Sequence, residues 1–152
     1  MGRQYPLTVY FDASCSLCNS EMQNINIHDK AQHLILIDCS ATGFNDTPYL
    51  SDGITREKMM ACLHVRDAQG TWIKGVPAFE LLYRTIGMPV LANFWGGRYT
   101  RPLMERIYPL VARHRQLISR TGIPILFELW GKSEARRAQK RSRQCHEGKC
   151  SF

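Results

Sequence analysis

The chain has 152 residues, 44 % of them hydrophobic and 22 % charged, and a net charge of +7. That length suits one compact domain with a sizeable core and is short for two. The longest uncharged apolar stretches, GMPVLANFWGG and GIPILF, fall far below the roughly 20 residues that cross a bilayer. The opening MGRQYPLTVYFD lacks the apolar core of a secretory signal. A cytoplasmic protein is expected. Thiols are kept reduced there, so the six cysteines are not read as a structural disulfide framework, and a close pair points to catalysis or metal binding. The charge is uneven. Lys132, Arg136, Arg137, Lys140, Arg141, Arg143 and Lys149 against Glu134 and Glu147 put +5 of the +7 in residues 132–152. The expected organisation is one domain over 5–131 followed by a basic, flexible tail over 132–152.

In chain order, LTVYFD (7–12) is β-branched and aromatic and reads as a buried strand. SCSLCNSEMQNINIH (14–28) reads as a helix with Ser14 as N-cap and Leu17, Cys18, Met22 and Ile25 near one face. HLILIDCS (33–40) reads as a second strand, and its unbroken apolar run predicts cover on both faces. ATGFNDTPYLSDG (41–53) has loop composition, and ITREKMMA (54–61) reads as a short helix. CLHVRDAQGTWIKG (62–75) has hairpin form around Asp67–Gly70. VPAFELLYRTIG (76–87) follows as a helix, with Pro77 in its first turn and Gly87 at its end. From Pro102 to Arg120, apolar residues fall at helical spacing, and Pro109 predicts a kink or two shorter helices. The order is β-α-β-(α)-β-β-α plus extra helices. With Cys-x-x-Cys at the first strand–helix junction, that is the layout of a thioredoxin-like α/β fold, a glutaredoxin-like β-α-β-β-α core with additional C-terminal helices.

The spacing of that pair carries chemistry. A cysteine at a helix start meets unpaired backbone N–H groups and the positive end of the macrodipole, which stabilise a thiolate. A free thiol has a pKa of about 8.5, and such a place commonly lowers it. Cys15 is therefore expected to attack a substrate disulfide. Cys18, three residues on and expected to be the more buried, would resolve the mixed disulfide. Asp12 lies one turn earlier. An uncompensated carboxylate would raise a neighbouring thiol's pKa, so Asp12 is read as a proton acceptor for Cys18 or as an acceptor for the loop's backbone amides. The bland alternative is that both cysteines are small core hydrophobes.

YFDASCSLC resembles the D-x-x-C-x-x-C signature of the DCC family (DUF393) of predicted thiol–disulfide oxidoreductases, with Asp12, Cys15 and Cys18 as its letters. VRDAQGTWIKGVPAFELLYRTIG is similar to that family's hairpin and following helix, including Gly75 and Ala78. YPLVARHR is similar to its Tyr-x-x-x-Ala-x-x-Arg, here Tyr108, Ala112 and Arg115. The likeness covers roughly residues 7–120. It implies thiol–disulfide exchange with protein or small-molecule disulfides, served by a thioredoxin or glutathione system, with no bound organic cofactor. It also tips Arg115 from a surface charge toward a partner for Asp12. One departure from thioredoxins and glutaredoxins is that no proline precedes the third strand. Met59, Met60 and Ala61 stand there, so a conventional peptide clamp is not expected.

Other residues invite rival readings. Cys145, His146 and Cys150 in CHEGKC are soft ligands that, joined to Cys15 and Cys18, would make a zinc or iron–sulfur module without turnover. The basic tail suits nucleic acid or an anionic membrane surface but lacks aromatics for base stacking. A solvated tail is the simpler reading. Cys39 and Cys62 are expected in the core, and His64 as a packed or exposed histidine on the hairpin. Trp72, Trp95 and Trp130 read as core or surface aromatics.

Overall fold

A computed structural model describes residues 5–119. The expected tail, the segment 120–131 and the Cys145, His146 and Cys150 group lie outside the described residues. Strand β1 (Leu7–Phe11) leads into helix α1 (Ser16–His28), which crosses to β2 (Leu34–Asp38). A 3-10 turn (Thr47–Asp52) and α2 (Arg56–Ala61) precede the hairpin β3 (His64–Arg66) and β4 (Trp72–Lys74). Helices α3 (Val76–Thr85), α4 (Pro89–Gly96) and α5 (Arg101–Ser119) complete the described chain. No helix among the described residues is long and apolar enough to cross a membrane.

The sheet order is β2-β1-β3-β4. β1 runs parallel to β2, with Val9 opposite Leu36, and antiparallel to β3, with Val9 opposite Val65. Alternation along β1 divides the core. Leu7, Val9 and Phe11 join Met22 and Ile25 of α1 and Ala78, Phe79, Leu81 and Leu82 of α3. Tyr10 points the other way, to Cys39, Met59, Tyr49 and Trp72. The sheet is thus packed on both faces, and β1, between β2 and β3, is its most buried strand.

Three expectations change. β2 is an edge strand, paired only with β1, and Ile35 is 47 % exposed. Its apolar run does not mean cover on both faces, because α2 and the 3-10 turn shield only part of that side. α5 is continuous through Pro109. The proline is exposed, so the carbonyl that loses its amide partner can turn to water. Residues 89–96 form α4, for which no helix was expected. Pro89 at its first turn is the start signal.

Gly75 joins β4 to α3 with φ 65° and ψ −136°, a region essentially closed to side chains. Its N–H donates to the Leu63 carbonyl at 2.9 Å, tying the hairpin's two ends together. Gly75→Ala is expected to cost about 1–3 kcal/mol, read as a lower urea midpoint at unchanged m-value.

Candidate active site

The β1–α1 loop is held by two carboxylates. Asp12, 2 % exposed at the end of β1, accepts the Ser14 N–H at 3.0 Å and the Ser14 hydroxyl on one oxygen. Asp38, at the end of β2, accepts the Ala13 N–H at 3.1 Å. Ser14 is therefore turned back onto Asp12 and does not cap α1. Cys15 takes the N-cap position, in extended backbone and with no side-chain cap. Of the two expected roles for Asp12, its geometry matches the acceptor for loop amides.

The second oxygen of Asp12 accepts from Arg115 Nη2 at 2.8 Å, across 103 positions of sequence. Arg115 comes from α5, and its side chain is largely buried. Tyr108 and Ala112 share its helix face by i, i+4, i+7 spacing. The Tyr108 hydroxyl accepts the Leu63 N–H at 3.0 Å, and its ring packs edge-on to Phe79 and Trp95. The Tyr-x-x-x-Ala-x-x-Arg pattern is therefore the face by which α5 grips the site.

The free thiols of Cys15 and Cys18 lie within hydrogen-bonding reach of each other. The expected order of burial is reversed: Cys15 is fully buried, whereas Cys18 is half-buried. Cys15, at the helix start beside the buried Asp12, is covered completely, while Cys18, one turn along the helix, borders a cavity. Burial pushes the Cys18 thiol well above its usual range, and its contact with Cys15 adds to this. The Arg115 charge pulls the other way.

Cys18 borders a cavity of about 400 Å³ enclosed by α1 to α5. Leu17, Met22, Met59, Met60, Phe79, Leu91, Phe94, Trp95 and Val111 make most of its wall, with Asp12, Cys62, Tyr108 and Arg115. Sequence reasoning missed Glu21 and Tyr83, which also line it. The Tyr83 hydroxyl donates to the Glu21 carboxylate across 62 positions. Burial holds the Glu21 carboxyl above its usual range, against the downward pull of that hydrogen bond. The available signal was the i, i+3 spacing of Cys18 and Glu21. Cys62, expected in the core, is half-buried in the same wall, whereas Cys39 is fully buried beside Met59 and pushed up to about 12 chiefly by burial. His64 is buried, donates from Nδ1 to the Cys62 carbonyl at 2.8 Å, and is held below its usual pKa by burial. It is a packed histidine. Among the described residues no group of three or more Cys, His, Asp or Glu is placed to hold a metal ion.

Asp12, Cys15, Cys18, Tyr108 and Arg115 thus converge on one site. Residues 9–121 match the family of DCC1-like thiol-disulfide oxidoreductases. The chain belongs to that family. A chloroplastic protein of Arabidopsis thaliana, described as uncharacterized, is 23 % identical over 128 residues, which is 83 % of this chain and 59 % of the plant protein. The chain therefore spans well under two thirds of the length of that relative. No solved structure matches. In the DCC1-like chain described here, the three separated motifs are the strand–loop–helix that carries the thiols, the hairpin end that meets Tyr108, and the helix face that closes over both.

Two outcomes test this geometry. Arg115→Met leaves the Asp12 carboxylate buried without its cation and is expected to cost about 3 kcal/mol. Adding Asp12→Asn should recover part of that loss, and a double-mutant cycle with additive losses would exclude the coupling. Glu21 has a folded pKa above its unfolded value, near 4.5. Its contribution is fully present below pH 4.5 and is lost as pH rises through the folded value. Glu21→Gln should flatten that part of the stability-versus-pH curve, measured by urea unfolding.

Proposed function

We propose that the chain is a thiol–disulfide oxidoreductase that works through a Cys15–Cys18 disulfide on a thioredoxin-like core. The observation that carries this reading is the contact of two free thiols at the start of a 13-residue helix directly after the central strand β1. The unpaired N-terminal amides of such a helix favour negative charge on sulfur. Burial holds the Cys18 thiol in its protonated form. The strand order β2-β1-β3-β4, with β1 and β2 parallel and the hairpin antiparallel, supports a thioredoxin-like arrangement. The family's description supports the activity.

Electrons pass between the pair and an external disulfide by two exchanges, and an external thiol restores the dithiol. No organic cofactor is needed for that chemistry. Thioredoxin or glutathione would serve as reductant in a reducing compartment such as the cytoplasm. Residues 59–61, Met-Met-Ala, lie in α2 and its end ahead of β3, and the Leu63 N–H there is already taken by Tyr108. A substrate peptide would find that amide occupied.

Redox titration of the full chain in glutathione buffers, with alkylation and mass measurement, should show Cys15 and Cys18 oxidising together at one midpoint. Cys15→Ser and Cys18→Ser should each abolish the disulfide. A pair that stays reduced across the whole range of buffers would overturn the proposal.

A further inference from the structure

Access and chemistry disagree about which thiol a substrate meets. The sulfur that forms a mixed disulfide must be reached by the substrate. Cys15 is fully buried, and it does not border the cavity, whereas Cys18 does. The cavity, about 400 Å³, lies within the range of roughly 300–1,000 Å³ typical of small-molecule sites. Its surface is aromatic and aliphatic, with Phe79, Phe94 and Trp95 on one side and Met59 and Met60 on another. The charges in its wall are paired, Asp12 with Arg115 and Glu21 with Tyr83, and the Arg115 Nε, which has no hydrogen-bond partner, is itself buried out of a ligand's reach. Burying the carboxylates and ammonium groups of glutathione disulfide against such a wall would leave them unpaired, which costs several kcal/mol on the order of 2–7 per polar group.

We propose that substrate enters this chamber and bonds to Cys18, that the sealed Cys15 completes the exchange, and that the substrate is a small uncharged disulfide with an apolar body. The inference rests on the redox pair proposed above and names its substrate class. In the reduction, Cys18 Sγ attacks one sulfur of R–S–S–R. The substrate S–S bond breaks, and the departing RS⁻ takes the Cys18 proton as RSH. Cys15 Sγ then attacks the Cys18 sulfur. The Cys18–S–R bond breaks, and the second RS⁻ leaves with the Cys15 proton. Two electrons pass to the substrate, and the Cys15–Cys18 disulfide remains. The high pKa of Cys18 makes its thiolate scarce but strongly nucleophilic, since nucleophilicity rises with thiol basicity.

The test uses full-length Cys15→Ser and Cys18→Ser proteins. Each is treated with 4,4′-dithiodipyridine, a neutral aromatic disulfide, or with glutathione disulfide, and the adduct is located by mass on tryptic peptide 4–30. Cys15→Ser is expected to take up the neutral probe on Cys18 at least tenfold faster than Cys18→Ser does on Cys15. It should also prefer that probe to glutathione disulfide by at least tenfold. Ionisation works against Cys18, so a faster Cys18 reports access. Leu91→Trp, which fills the chamber from α4, should slow the Cys18 adduct while circular dichroism stays unchanged. Faster labelling of Cys15 would overturn the inference, as would equal rates with the two probes or turnover of insulin in preference to lipoamide. A pair that cycles in the glutathione titration while Cys15 takes the label defeats only this inference. A pair that never oxidises defeats the proposed function itself.

Discussion

The ion pair between Asp12 and Arg115 is the constraint on which the site depends. Its two ends are a buried carboxylate at the close of β1 and a guanidinium far along α5. Neither charge is tolerated in the interior alone, so each fixes the other's position. The rest of α5 would not hold it in place by burial, since Leu103, Leu110 and Leu117 are 53 %, 61 % and 62 % exposed. What anchors the helix is one narrow face, with Tyr108 on the Leu63 amide and Arg115 on Asp12. The same contacts make α5 one wall of the chamber beside Cys18.

That arrangement changes what an acid so close to a cysteine pair does. A free carboxylate at Asp12 would oppose any thiolate nearby. Bound to Arg115 and to the Ser14 amide, it shapes the loop, and the guanidinium offsets its charge at Cys18. The largest influence on Cys18 is desolvation by an apolar enclosure, and its contact with Cys15 adds to it. Glu21, the other acid among the described residues of that wall, is itself kept from ionising easily by the same enclosure.

Local sequence was a good guide wherever short-range chemistry decides the element. β1, α1, the hairpin and α3 follow from their apolar spacing, turn residues and glycines. It misled where the neighbour matters. The run Leu34–Ile37 reads like a central strand, but strand order puts it at an edge. Pro109 reads like a kink or a break between two helices, but α5 runs through it as one helix, its exposed position leaving the freed carbonyl to water. The segment that forms α4 carried its Pro89 signal unnoticed, and with it went Leu91, Phe94 and Trp95, which close the chamber. Cys18 was expected to be the hidden thiol because it lies inside the helix. Burial depends on what packs over a residue, and Cys15 at the helix start is covered completely where Cys18, one turn on, borders a cavity.

By itself the sequence marked the candidate residues: two cysteines one helical turn apart after a strand, an aspartate before them, and, through the family resemblance, a tyrosine and an arginine on one helix face. Those are local facts of spacing, and spacing within a helix or strand is fixed by backbone geometry. Only the tertiary structure decided that Arg115 neutralises Asp12, that Glu21 meets Tyr83, and that Cys18 and not Cys15 faces an open apolar space. Those facts join residues 62 and 103 positions apart. They depend on how five helices close around one edge of the cysteine pair, which no local pattern encodes.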